Sequence, residues 1–236
     1  MVHQKYKNKE WDILRVHEFI RTYVSKLDQK SISAHSPQQA VLGTLILWLG
    51  WLFFNAGSSA AISGGAYLDS ERAIINTILA PSAAGLLTFW TRKHITGENK
   101  DIRMDFQALT NGILAGLVAV TASCASIQPW AAVLTGLIGS LTYSFACLAM
   151  NKLKIDDPLE AFQVHGCCGV MGCITLAFFN LETGIIYGGK TTVEMVDGEE
   201  SKTIGGGELL GIQIAGCLII ILWSGGLSAI FFFISN

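Results

Sequence analysis

A chain of 236 residues that is 51% apolar and only 14% charged, with a mean hydropathy of +0.46, departs from soluble domains, which carry about a quarter charged residues. A formal net charge of -2 gives no bulk attraction to nucleic acid. The main partner predicted by this balance is a lipid bilayer.

Residues 1–33 read as a polar extension. Within it, Ile13, Val16, Ile20, Val24 and Leu27 recur at helical spacing, with Arg15, Arg21 and Lys26 on other faces, which predicts an amphipathic helix. Such a helix either lies on the membrane and caps the bundle or docks another subunit. The stretch lacks the apolar core of a secretory signal. Glu10, Asp12, Glu18 and Asp28 interrupt the basic pattern of a mitochondrial presequence.

Six apolar segments follow, at 39–59, 73–91, 106–122, 127–151, 158–179 and 207–234. Each has about the length needed to cross the hydrocarbon core, so the predicted fold is an all-α polytopic membrane protein with six transmembrane helices. Gly, Ala, Ser and Thr are frequent in them, as expected where helices approach closely in lipid. Thr110 and Asn111 interrupt the third segment, and Asn151 and Asn180 mark helix ends. Residues 180–206, with Gly188, Gly189 and the run from Gly205, predict a flexible loop without phosphate-binding chemistry. The six cysteines (124, 147, 167, 168, 173 and 217) lie in or beside apolar stretches and suit buried thiols. The adjacent Cys167 and Cys168 lack metal-ligand spacing, so neither a metal nor another cofactor is expected. With no nucleophile–base pair in view, an enzyme is not expected either.

Six crossings put both termini on one side. That side carries thirteen of the sixteen basic residues, and the other only Arg72, Lys190 and Lys202. The charge bias predicts that both termini face the cytoplasm, or the matrix in an organelle such as a mitochondrion. It also opposes an antiparallel pairing of two copies of this chain.

Trp48, Trp51, Phe53 and Phe54 stand just before Asn55, Gly57 and Ser58. This is either an aromatic belt at a helix end or a gate above a polar site for a small cation. His165 is either a core histidine bonded to backbone or a functional intramembrane group. Gly166, Gly169 and Gly172 bare one helix face to another helix or to a narrow pore. Asp156, Asp157 and Pro158 form a predicted helix start: Asp157 caps, Pro158 suits the first helical position, and carboxylates favour the positive helix end.

The stretches LGTLILWLGWLFFNAGSS, NGILAGLVAVTASC and DDPLEAFQVHGCCGVMGC together resemble the ammonium transporter/Rhesus family. The resemblance runs from about Ala34 to the C-terminus, so 34–236 is expected to form half an ammonium-transporter-like transmembrane domain. It implies the second of the family's two inverted repeats plus its final helix, out of eleven helices. It also implies roles for matching positions. Phe54 resembles an aromatic of the outer gate, Ser58 the recruitment-site hydroxyl, and His165 one of two pore histidines. Phe162 falls one turn earlier on the pore helix, and Asp157 matches the family's helix-start aspartate. This sequence has TASCAS where the family favours Thr-Pro-Ala-Cys-Gly, and Gln163 where a small residue is usual.

The first repeat, with the second histidine, has no counterpart in these residues. The face carrying His165, Asn55 and the glycines is therefore expected to be covered by at least one other membrane chain. Two functions follow. One is a non-transporting structural or accessory subunit of a larger membrane complex, the reading the sequence favours. The other is half of a split ammonium/ammonia channel that conducts only with a partner. In either case, tags at residues 1 and 236 should show equal protease accessibility in sealed vesicles; opposite accessibility contradicts six crossings.

Overall fold

The computed structural model describes residues 36–59, 67–94, 106–155, 157–196 and 199–235. Pro37–Leu222 forms one compact unit. Its helices are α1 (Pro37–Gly57), α2 (Tyr67–His94), α3 (Phe106–Thr121), α4 (Pro129–Leu153), α5 (Cys168–Phe179) and the first part of α6 (Gly206–Ser235). A π-helical turn, Phe162–Cys167, leads directly into α5. α2, α3 and α4 pack on one another, α1 lies against α2 and α3, and α5 lies against α3 and α4. Four of the α-helices, and the π-turn with α5, are long and apolar enough to cross a membrane. α3 has 16 residues and reaches about 24 Å. The amphipathic helix expected in residues 1–33 lies outside the described residues.

Two expectations are corrected. Residues 180–206 are structured along most of their length. Asn180 Oδ1 accepts the N–H groups of Glu182 and Thr183 at 2.9 and 3.0 Å. Strands β1 (Thr192–Val196) and β2 (Glu199–Thr203) pair antiparallel. Thr191 and Lys202 donate to the Glu208 carboxylate at 2.6 and 2.7 Å, which ties the hairpin to the first turn of α6. Gly206 has φ +60 and donates its N–H to Thr183 O at 2.7 Å, a backbone geometry natural for glycine. The second correction concerns the helix start at Asp156, Asp157 and Pro158. Helix begins at Phe162, four residues beyond Pro158, because Glu160 intervenes with φ +57. Pro158 sits in a turn closed by the Glu160 N–H to Asp157 O bond at 3.0 Å. Asp157 still caps, at a distance of five residues: its Oδ2 accepts the Phe162 N–H at 2.9 Å. Asp156 lies outside the described residues.

Bare backbone glues the helices. A Cβ on Gly136 of α4 would fall 2.2 Å from Ala80 O on α2. A Cβ on Gly172 of α5 would fall 2.5 Å from Ala119 O on α3. Gly112 and Gly116 of α3 meet Thr88 and Pro81 of α2 as closely. Gly172, a member of the expected glycine stripe, is thus a helix-packing residue. Hydroxyls cross the same seams, with Thr88 and Ser140 2.7 Å apart.

α2 contains Pro81, which has no N–H for Thr77 O, the carbonyl four residues earlier. The Trp48 indole of α1 supplies the missing donor at 2.9 Å. Trp51 Nε1 donates to Thr121 Oγ1 at 2.8 Å, and Asn55 Nδ2 to Thr77 Oγ1 at 2.9 Å. Asn55 is therefore buried, at 2% exposure, and is not presented to lipid as expected. One face of α1 is consumed in holding α2 and α3.

A buried carboxylate ties three of the helices together. Arg92 at the end of α2 grips Glu160 with two bonds, Nη2 to Oε1 at 2.7 Å and Nη1 to Oε2 at 3.0 Å. Asn111 Nδ2 of α3 donates to Oε2 at 2.6 Å. The Tyr143 hydroxyl of α4 also donates to Oε2 and accepts from Arg92 Nη1 at 2.7 Å. Both members of the ion pair are largely buried, with side-chain exposures of 14% and 13%. Burial alone pushes the Glu160 carboxyl up. The Arg92 bond and charge, with the Tyr143 and Asn111 bonds, outweigh it and hold the group below its usual value.

Two stability predictions follow. Gly136→Ala should destabilise the purified chain by about 1–3 kcal/mol, since the clash with backbone outweighs the roughly 1 kcal/mol gain in helix propensity. Gly50→Ala, which meets open space, should be neutral or stabilising; equal effects of the two in thermal unfolding would refute the packing account. Glu160→Gln should cost about 3–5 kcal/mol at pH 7 by leaving Arg92 buried without its counter-charge. Because the folded carboxyl is depressed, its contribution is complete above the ordinary carboxylate range near ~4.3 and is lost as pH falls through the lower folded value. Unfolding midpoints measured from pH 7 downward should therefore fall in the wild type and converge on those of Glu160→Gln; a pH-independent gap contradicts this.

Candidate pore-lining face

α1 divides its side chains by azimuth. Trp48, Trp51 and Asn55 turn inward to α2 and α3, while Phe53 and Phe54 stay exposed. Phe54 meets Trp51 edge to face with ring centroids 6.4 Å apart. Ile46, Leu47, Gly50, Trp51 and Phe54 line a shallow, wholly apolar concavity of about 360 Å³. Ser58 follows the helix end, with its hydroxyl donating to Phe54 O at 2.7 Å and its oxygen exposed to accept. A cation arriving here would meet an aromatic face and a hydroxyl oxygen, two groups that attract small cations in water-poor surroundings.

His165 and Phe162 share the π-turn. A π-turn carries one residue more than an α-turn, so it shifts the azimuth of the residues before it by about 100° relative to those after. The outcome is a clean division: Phe162 and His165 are exposed, while Gln163 and Val164 are 3% and 2% exposed. Gly166 leaves room for the Phe162 ring, whose Cδ2 would stand 3.0 Å from a Cβ at that position. Behind the turn, Cys168 Sγ donates weakly to Gln163 O and Gly139 O, each at 3.4 Å. Gln163 Oε1 is buried without a hydrogen-bond partner among the described residues.

The structure thus puts Phe54 with Ser58 at one end of α1 and Phe162 with His165 at the start of the α5 span. α1 and the π-turn both pack against α3. All four are exposed on the Pro37–Leu222 unit. Sequence reasoning missed the cluster around Glu160. Arg92 was counted only for its charge and Asn111 only as an interruption, and Glu160 and Tyr143 were passed over. The available signal was Arg92 closing one apolar run and Glu160 opening another, opposite charges at helix ends on the same side.

The sequence profile of the Ammonium Transporter Family matches residues 21–236, a span that begins upstream of residue 34. The chain is 36% identical over 201 residues to "Ammonium transporter 1 member 3" of Solanum lycopersicum, covering 80% of this chain and 42% of that protein. It is 34% identical over 216 residues to "Ammonium transporter 3" of Dictyostelium discoideum, covering 86% and 45%. The structure superposes on Saccharomyces cerevisiae Mep2 with a TM-score of 0.68 at 27% identity, covering 84% of this chain and 41% of Mep2. A "Sensor Amt Protein" gives 0.68 at 33% identity, covering 89% and 47%. The chain spans less than half the length of these relatives. With the six helices, the packing glycines and a profile match over most of its length, the chain belongs to the ammonium transporter family.

Proposed function

We propose that this chain supplies one wall of an ammonium/ammonia pathway, and that another polypeptide segment covers the wall to complete it. The observation that carries this is the π-turn, which sends Phe162 and His165 outward and buries Gln163 and Val164 between them. Phe54 and Ser58 would receive the cation at the end of the pathway remote from the charged termini. The His165 imidazole, with one acceptor and one donor nitrogen when neutral, suits a small hydrogen-bonding solute that loses or regains a proton. Both termini lie on the cytoplasmic or matrix side, supported by the asymmetry of the basic residues. The task is passage and not bond-making, in keeping with a family of transporters. Cover is needed because an unpaired polar group in hydrocarbon costs about 1–3 kcal/mol or more. One membrane chain facing His165 removes that cost.

A second reading is a non-transporting accessory subunit. It draws on Gln163, which is buried beneath the turn at a position where the family resemblance implies a small residue.

Methylammonium uptake into proteoliposomes separates the two. The purified chain alone should be silent. Added together with the N-terminal half of a full-length family member, it should give saturable uptake that is lost in His165→Ala. Uptake by the chain alone contradicts the need for cover. Silence in every combination favours the accessory role, and uptake indifferent to His165→Ala contradicts the part given to His165.

A further inference from the structure

We propose that Arg92 is a positioning residue for the His165 turn, acting through Glu160. Glu160 has φ +57, a backbone state that a non-glycine residue holds only when its surroundings over-determine it. Here they do. Three helices send donors to one carboxylate: Arg92 from α2, Asn111 from α3 and Tyr143 from α4. The main chain of the same residue opens the turn. Its N–H closes on Asp157 O at 3.0 Å, and its C=O accepts the Val164 N–H at 3.1 Å. Side chain and backbone of Glu160 therefore link the bundle to the first bond of the segment that carries His165.

Among the described residues, side-chain anchors are few in the rest of the α4–α5 connection. Ile155 and Leu159 are 52% and 78% exposed. Without the grip on Glu160, the left-handed residue can relax toward ordinary φ, and the π-turn can rewind to α. Rewinding drops one residue from the turn and rotates its opening residues by up to about 100° relative to α5, which moves Phe162 and Gln163 out of their places. Arg92 bears on His165 without touching it.

The inference rests on the pore-wall reading only in taking the His165 face as the working face. Its test reads the turn and not transport, so the two fail separately. Phe162→Cys and Gln163→Cys are each introduced into the purified chain in detergent, and maleimide labelling at the new site is measured above that of the native cysteines. With Arg92 present, position 162 should label at least about tenfold faster than position 163, as expected of an exposed against a protected site. In Arg92→Gln this ratio should collapse toward unity, and Arg92→Lys should restore part of it. Labelling of the buried Cys124 should stay unchanged. A ratio that persists in folded Arg92→Gln overturns the proposal, as does a collapse accompanied by equal loosening at Cys124. If Arg92→Gln does not fold, Asn111→Ala, which removes one of the donors to Oε2, decides. A reduced ratio supports the proposal and an unchanged ratio refutes it.

Discussion

A carboxylate buried at the end of a helical bundle is tolerable only if its charge is matched and its lone pairs are filled. Glu160 meets that condition with donors from α2, α3 and α4, so solvating one group ties three helices together. Much of the local architecture follows. The backbone is left-handed at Glu160, and helix does not run through residue 160. The helix restarts at Phe162, with Asp157 satisfying its first N–H. It restarts as a π-turn, and that choice decides which residues face outward.

The same logic governs the rest of the described interior. Lipid offers no hydrogen bonds, so polar groups are mostly settled within the chain. Trp48 fills the carbonyl that Pro81 leaves open, Asn55 is held by Thr77, and Arg92 by Glu160. Against that background, His165 is exposed on the Pro37–Leu222 unit. Packing has no need of it there, and the turn that exposes it is held in place with four side chains.

Much of the fold was legible because its signals are long and local. Apolar runs of membrane length gave six helices with bounds close to those observed, and small residues marked the seams. Phe54, Ser58, Phe162 and His165 could be named from motif resemblance, and all four are exposed. What escaped depends on contacts distant in sequence. Nothing near Trp48 says that a proline 33 positions later in the chain will leave a carbonyl for it. Nothing near Pro158 says that Glu160 will bond to Arg92, so Asp-Asp-Pro read as a helix start when the true start lies beyond the glutamate. The hairpin after Asn180 was hidden by glycines that resemble loop punctuation but mark close backbone approach, as at Gly206.

The account turns on Arg92 and Glu160 acting as one unit. A double-mutant cycle with Arg92→Ala, Glu160→Ala and the pair, read by reversible unfolding of the detergent-solubilised chain, tests this most directly. Each single change strands a buried partner, so the double should be no worse than the worse single, with a coupling of about 2–3 kcal/mol. Additive losses, with coupling near zero, would mean that the two side chains merely sit close together, and the carboxylate would not be what holds the His165 turn in place.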